Sequence, residues 1–174
     1  MAGRPEGETE MTLLDTIHAI EAVAASQPSV RTIVRNDVFK LNACPDVRYG
    51  AFAWTQGQHT GEAEGDLRTF AFSLFYVDRL TEGESNREEV QSEAVDVLGN
   101  IIAALAEYGV ETDGPYSVTT FNQRFSDLCA GAFVTVAFTV PATLTCPVDY
   151  PGALGDFNND FNPDFFIRRP TKRI

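Results

Sequence analysis

Residues 69–80, TFAFSLFYVDRL, constrain the fold more than any other segment, because they are apolar on both sides of an extended chain. Successive side chains of a strand point to opposite faces, so a half-buried strand should alternate apolar and polar residues. One parity carries Phe70, Phe72, Leu74 and Tyr76. The other carries Phe75 and Val77. The segment therefore predicts a strand with one face under a helix and a second face covered either by the chain's own ends or by another copy.

Two amphipathic helices are predicted. Residues 86–108 place their apolar side chains on one face, and Gly109 suits the C-terminal cap. Ser85 and Glu88 have the spacing of an N-terminal capping box. A second helix runs from Thr12, its N-cap, to about residue 27, with an apolar stripe at Leu13, Ile17, Ile20 and Ala24.

The remaining regular segments read as strands rich in β-branched and aromatic residues. They are residues 30–41 (with a bulge or an exposed edge), 48–55, 69–80, 116–122 and 132–140. The segment QGQHTGEAEGD between the second and third strands is either a long hairpin loop or two ragged strand ends. The order α-β-β-β-α-β-β predicts an α+β fold with a mostly antiparallel sheet of about five strands and two amphipathic helices.

The sequence divides into three parts by pattern. Residues 1–11 read as a flexible leader, 12–141 as one α+β domain, and 142–174 as an irregular C-terminal arm. The arm has no sustained periodicity, yet it carries four phenylalanines. Because a solvated tail rarely keeps such rings exposed, we expect them to pack on the domain or on a neighbour.

The charge pattern narrows the partners. The net charge of −12 argues against broad capture of nucleic acid or of an anionic membrane surface. Acidic residues concentrate in 62–96, whereas RRPTKRI at 168–174 carries four positive charges. No signal peptide is predicted, and no apolar run is long enough to cross a bilayer.

Candidate chemistry is sparse. The three cysteines, Cys44, Cys129 and Cys146, are far apart and fit reduced structural thiols. His59 lies in the QGQHTGEAEGD segment near acidic residues, but a solvated hairpin tip explains it better than acid–base work. Cys129 as a nucleophile and His18 as a ligand are weaker still. The sequence thus predicts no catalytic, cofactor or metal site.

Surplus apolar surface and segregated charge indicate an assembling protein instead. The predicted interface residues are Phe75, Val77, Phe157, Phe161, Phe165, Phe166, Arg168 and Arg169. A cyclic ring repeats one heterologous contact, so each subunit needs two different complementary patches. An acidic middle and a basic end would supply them.

The element order, together with LNACPDVRYGAFAWTQGQHTG, FSLFYVDRL and YSVTTFNQRFSDLCAG, resembles the tail-terminator and head–tail joining (neck) proteins of tailed bacteriophages. It is also similar to small virion proteins of Bacteroidetes phages, including the crAss-like phages. The resemblance covers about residues 12–141. It implies a homo-oligomeric ring, hexameric or dodecameric, without catalysis or cofactor. It also implies neighbouring neck, portal or tail proteins as partners, and DNA at most passing through a channel.

Two other functions compete with a virion structural role. A small-molecule-binding module would need an aromatic pocket, for which Tyr49, Trp54 and Phe72 are the candidates. An enzyme would act through His59 or Cys129. An enclosed cavity between those three rings would favour the first, and a polar partner beside either residue would favour the second.

Overall fold

A computed structural model describes residues 11–38, 40–43, 47–61, 67–122 and 128–141. The chain divides into two units, residues 1–143 and 144–174, and all described residues belong to the first. The helices are α1 (Leu13–Ser26), α2 (Lys40–Ala43) and α3 (Arg87–Leu105), the last followed by a 3-10 turn at Ala106–Tyr108. The strands are β1 (Thr32–Arg35), β2 (Ala51–Gly61), β3 (Leu67–Arg79), β4 (Glu111–Thr112), β5 (Val118–Asn122) and β6 (Cys129–Pro141).

The predicted α+β class with a mostly antiparallel sheet is confirmed. The sheet has six strands in the order β1-β2-β3-β6-β4, and β5 also pairs with β6. Only the β1–β2 pair is parallel. The sheet is continuous across its centre because β3 and β6 pair residue for residue over their whole lengths.

One face of the sheet is buried under α1 and α3, as predicted for the main parity of residues 69–80. Phe70, Phe72, Leu74 and Tyr76 lie in one core cluster with the apolar faces of both helices. The predicted alternation of β6 is also confirmed, since every second residue from Ala132 to Val140 joins that cluster. This burial supplies most of the hydrophobic stabilisation of the domain.

The second face is covered at one end by a segment that was predicted to continue a strand. Phe75 and Val77 pack in a cluster with Val34, Leu41 and other residues of the β1–β2 region. The predicted strand at 30–41 is therefore wrong beyond Arg35. Asn36 has a positive φ of 49°, which ends the strand, and the chain then turns into α2. Leu41 of α2 lies on the second face.

The predicted helix caps are partly confirmed. Thr12 caps α1 with its side chain and forms a capping box with Asp15. The hydrogen bonds from Thr12 hold the pKa of the Asp15 carboxyl below its usual value. At α3, the Ser85–Glu88 capping box is wrong, because Asn86 is the N-cap and has no side-chain cap bond. Its Oδ1 instead accepts a hydrogen bond from the Thr81 N–H at 2.8 Å. Gly109 is in the left-handed conformation predicted for the cap, with φ 74°.

The strands differ from expectation mainly in length. β2 continues through Gly61, so the segment after residue 55 is strand where it is described, with a register irregularity between Gln56 and His59. β5 begins at Val118 instead of residue 116, and β6 begins at Cys129 instead of residue 132. The two-residue β4 was not predicted, because a pair of residues carries no periodicity.

Candidate functional site

Two edge strands of the sheet, β1 and β5, lie at the same position along the strand direction. β1 pairs with β2 alone, and β5 pairs with β6 alone, within the described part of the chain. The pairings run across the sheet in straight rows. One row contains Ile33, Phe52, Tyr76, Ala132 and Thr120, and another contains Arg35, Trp54, Leu74, Val134 and Val118. β1 and β5 are thus the two ends of one five-strand ribbon.

The β1 edge is basic. Arg31, Arg35 and Arg48 are exposed at or beside it. Arg48 is held there because its backbone N–H donates to Thr32 Oγ1 at 3.1 Å. Arg35 Nη2 donates to Glu21 Oε2 at 2.7 Å, although 73% of the Arg35 side chain remains exposed.

The Glu21 carboxylate fixes α1 over this edge. Glu21 is buried on α1, and its second oxygen, Oε1, accepts a hydrogen bond from Trp54 Nε1 at 3.1 Å. Trp54 lies on β2 beside β1, where it is paired with Arg35. A buried carboxylate needs such partners to offset its desolvation. The helix is therefore held to the two strands that form the basic edge.

The opposite edge is acidic and apolar. Residues 106–122 contain no lysine or arginine, and Glu107, Glu111 and Asp113 are exposed around β4. β5 itself, VTTFN, carries no charge and no proline, and its register with β6 is unbroken. Natural proteins usually protect edge strands with charges, prolines or bulges. β5 itself has none of these three devices.

Exposed apolar side chains surround the β5 edge. Tyr116 precedes the strand and is 39% exposed, and Leu128 precedes its partner strand and is 37% exposed. Gln91 Nε2 on α3 donates to Asn122 Oδ1 at 2.7 Å, which places that side of the helix over β5. Val95 lies one turn further along the same side and is 36% exposed. Exposed apolar side chains therefore lie near both ends of β5 and on the adjoining side of α3.

An acidic groove of about 610 Å³ lies where the end of α1 meets α3. Most of its lining residues are of polar types: Gln27, Pro28, Ser29, Glu88, Glu89, Ser92, Glu93, Asp96, Val97 and Asn100. Ser29 Oγ donates to the Glu93 carboxylate, and the Tyr76 hydroxyl donates to the Ser29 carbonyl at 3.3 Å. Burial raises the pKa of Tyr76 to about 12, with nearby Glu93 and Asp78 adding to the effect.

The three residues considered for catalysis or ligand binding, His59, Cys129 and His18, lie on different elements. The His59 ring packs edge-on against Phe70 at 5.4 Å, and its Nε2 is 3.5 Å from Gln56 Oε1. The acidic residues of 62–66 lie outside the described residues. Cys129 is fully buried and His18 is exposed on α1. Across the described ranges, no group of three or more His, Cys, Asp or Glu side chains is placed to hold a metal ion.

The predicted interface residues divide into two sets. Phe75 and Val77 are buried, at 8% and 1% exposure, against the chain's own second-face cluster. Their part in a subunit contact stays a prediction. The others, Phe157, Phe161, Phe165, Phe166, Arg168 and Arg169, lie outside the described residues. The β1 and β5 edges were not predicted as a pair, although the Arg31/Arg35 spacing and the uncharged segment VTTFN are present in the sequence.

The aromatic pocket does not form from the three rings proposed for it. Trp54 and Phe72 are packed together in the helix-side core, with ring centroids 6.1 Å apart. Tyr49 belongs to the second-face cluster instead. The sheet therefore separates Tyr49 from the other two rings.

The chain matches no protein-family model and no curated protein. Among solved structures it is similar to the gp17 protein of bacteriophage SPP1, with 14% identity and a TM-score of 0.39. That similarity covers 77% of this chain and 96% of the SPP1 protein. Within the described part of the chain, no helix is both long and apolar enough to span a membrane.

Proposed function

We propose that this chain is a structural protein of a tailed-bacteriophage virion that forms a ring at the neck or tail, in head–tail joining or tail completion. It acts through subunit–subunit contacts and not through catalysis. The observation that carries the proposal is that β1 and β5 each pair with only one strand of the described residues, with arginines beside β1 and acidic residues beside β5. A cyclic ring needs two such unlike patches on every subunit.

The proposal includes the setting of the ring. Its partners are further copies of the chain and adjoining neck, portal or tail proteins, and it is located in the virion after assembly in the host bacterial cytoplasm. A net charge of −12 suits a channel through which DNA passes without adhering.

The C-terminal arm, residues 142–174, is proposed as a second contact element. Its phenylalanines and its basic end offer apolar and charged groups to an acidic neighbour. The exposed acidic residues of α3, among them Glu88, Glu89 and Asp96, are of the complementary sign. The competing small-molecule role is not favoured, because the groove beside these residues is open and no aromatic side chain lines it.

The mass of the full chain in solution tests the proposal. Sedimentation at several concentrations and at low and moderate salt should show a discrete species of several copies, weakened by salt because the contacts are partly ionic. A chain that stays monomeric at high concentration, and that is missing from purified virions, would refute it.

A further inference from the structure

We infer that the ring closes by strand addition, in which β5 of one copy pairs antiparallel with β1 of the next copy. This inference rests on the proposed function, because it names the surfaces through which the ring forms. Five observations support it. They are the register of the two edge strands, their relative direction, the backbone groups that point outward, the charges beside them, and the absence of protective residues within β5.

The two edge strands lie at the same position along the strand direction, which favours a closed ring. β1 and β5 occupy the two ends of the same rows, with Thr120 in the row of Ile33 and Val118 in the row of Arg35. A cyclic ring relates neighbours by rotation without a shift along its axis, whereas a shift would generate an open helix. When the two edges pair in this register, the rows of one subunit continue into those of the next.

The direction of the edges suits an antiparallel pair. β1 is parallel to β2, β2 is antiparallel to β3, β3 to β6, and β6 to β5. β5 therefore runs opposite to β1, and a neighbour in the same orientation presents its β1 antiparallel to β5. Antiparallel ladders are slightly more stable per residue than parallel ones.

The outward groups of β5 follow from the ladder of β6. The N–H of Asp113 donates to the carbonyl of Ala137 at 2.8 Å, so Ala137 faces the β4–β5 side. Alternate residues of a strand face the same side, so Phe133 bonds its partner Thr119. The N–H and C=O of Thr120 and Val118 consequently point away from β6, on the side where no strand of the described residues pairs with β5.

The pairs created by this register are favourable. Thr120 would lie opposite Ile33 and Thr119 opposite Val34, with the helix side of both sheets facing the same way. Adjacent β-branched side chains across strands are stabilising. No pair places like charges opposite each other.

Charge selects this contact over a symmetric pairing of two β5 strands. A β5–β5 contact would join two copies of an edge that has no lysine or arginine over residues 106–122, on chains that are already strongly negative. The β1 edge instead offers Arg31 and Arg35. A second copy presented by its β1 edge is therefore the occupant that complements the β5 edge.

The first test replaces Thr120 with proline. Proline is tolerated on an edge strand where its missing N–H faces outward, so Thr120→Pro should keep the β5–β6 ladder and remove one donor to the neighbour. Thr120→Val keeps that donor and serves as the matched control. We expect Thr120→Pro to weaken association at least about tenfold with little change in Tm, and Thr120→Val to assemble like the wild type.

The second test identifies the pairing and does not depend on the proline variant folding. Ile33→Cys and Thr120→Cys chains are oxidised separately and after mixing, with wild-type protein as the control for the native cysteines. Paired strands place these Cα atoms about 5.5 Å apart, within disulfide range. A 33–120 disulfide, identified by peptide mapping, should form only in the mixture.

The outcomes separate this inference from the proposed function. A wild-type oligomer that Thr120→Pro leaves unchanged, or a mixture that gives no 33–120 disulfide, overturns the strand pairing while the ring proposal stands. A 120–120 disulfide in the single variant shows β5–β5 pairing and also overturns it. A wild-type chain that never assembles contradicts the proposed function itself.

Discussion

Replacing Glu21 tests how the basic edge is built. Its carboxylate accepts one hydrogen bond from the buried Trp54 indole and one from the mostly exposed Arg35. Glu21→Gln keeps an acceptor for the indole but loses the charge. Because the Arg35 partner is largely solvated, we expect Glu21→Gln to cost only about 1 kcal/mol of unfolding free energy.

Glu21→Leu removes both acceptors and leaves the Trp54 N–H buried without a partner. An unsatisfied buried donor costs about 1–3 kcal/mol, and the lost ion pair adds up to about 1 kcal/mol. We therefore expect Glu21→Leu to lower the free energy of unfolding by about 1–4 kcal/mol. In a Trp54→Phe background, which has no indole donor, the same change should cost about 1 kcal/mol or less.

Urea unfolding followed by far-UV circular dichroism measures all four variants on one scale. Two results decide the test: whether Glu21→Leu loses more unfolding free energy than Glu21→Gln, and whether that loss shrinks in the Trp54→Phe background. If Glu21→Leu were within about 0.5 kcal/mol of Glu21→Gln, the carboxylate would not be what fixes α1 over β1 and β2.

Three further outcomes follow from the structure. Gly131→Ala should destabilise the domain by at least about 2 kcal/mol in urea unfolding, because the added Cβ would collide with the Tyr76 carbonyl oxygen. Gly99→Ala on α3 is the control, since its Cβ meets open space and should not lower stability. Equal effects of the two substitutions would contradict the close approach of β3 and β6. Tyr76 has a raised pKa, so the folded state holds its proton longer than the unfolded chain, and stability should fall as pH rises from about 10 to about 12. Tyr76→Phe should flatten that decline in pH-dependent melting, while Tyr108→Phe, at an exposed site, should leave it; an unchanged slope in Tyr76→Phe would refute the assignment. Deleting 151–174 should leave the Tm of the domain unchanged and weaken assembly in sedimentation, whereas unfolding of the domain would show that the arm's phenylalanines belong to its core.

The sequence predicted the parts of the fold that depend on one periodic segment. Three predictions were correct: the residues of 69–80 that face the helices, the buried face of α3, and Thr12 as the cap of α1. Each depends on the spacing of residues within one element. The cover of the second face was missed. Val34, Val38 and Leu41 look like one continuous strand in sequence, and only the positive φ of Asn36 separates them into a strand and a returning helix.

The candidate site was predicted only in its general chemistry. The sequence indicated an assembling protein with segregated charge, but it assigned the contacts to Phe75, Val77 and the arm. The relation between β1 and β5 depends on register across five strands, which no local pattern contains. Phe75 and Val77 looked exposed because the segment that covers them was read as part of the sheet itself.

The mass of the wild-type chain in solution tests the central claim most directly. Sedimentation velocity and equilibrium over a wide concentration range should show a closed assembly with an integral number of copies and no growth beyond it. A chain that remains monomeric throughout, or that grows into filaments of indefinite length, would contradict the account of a cyclic ring.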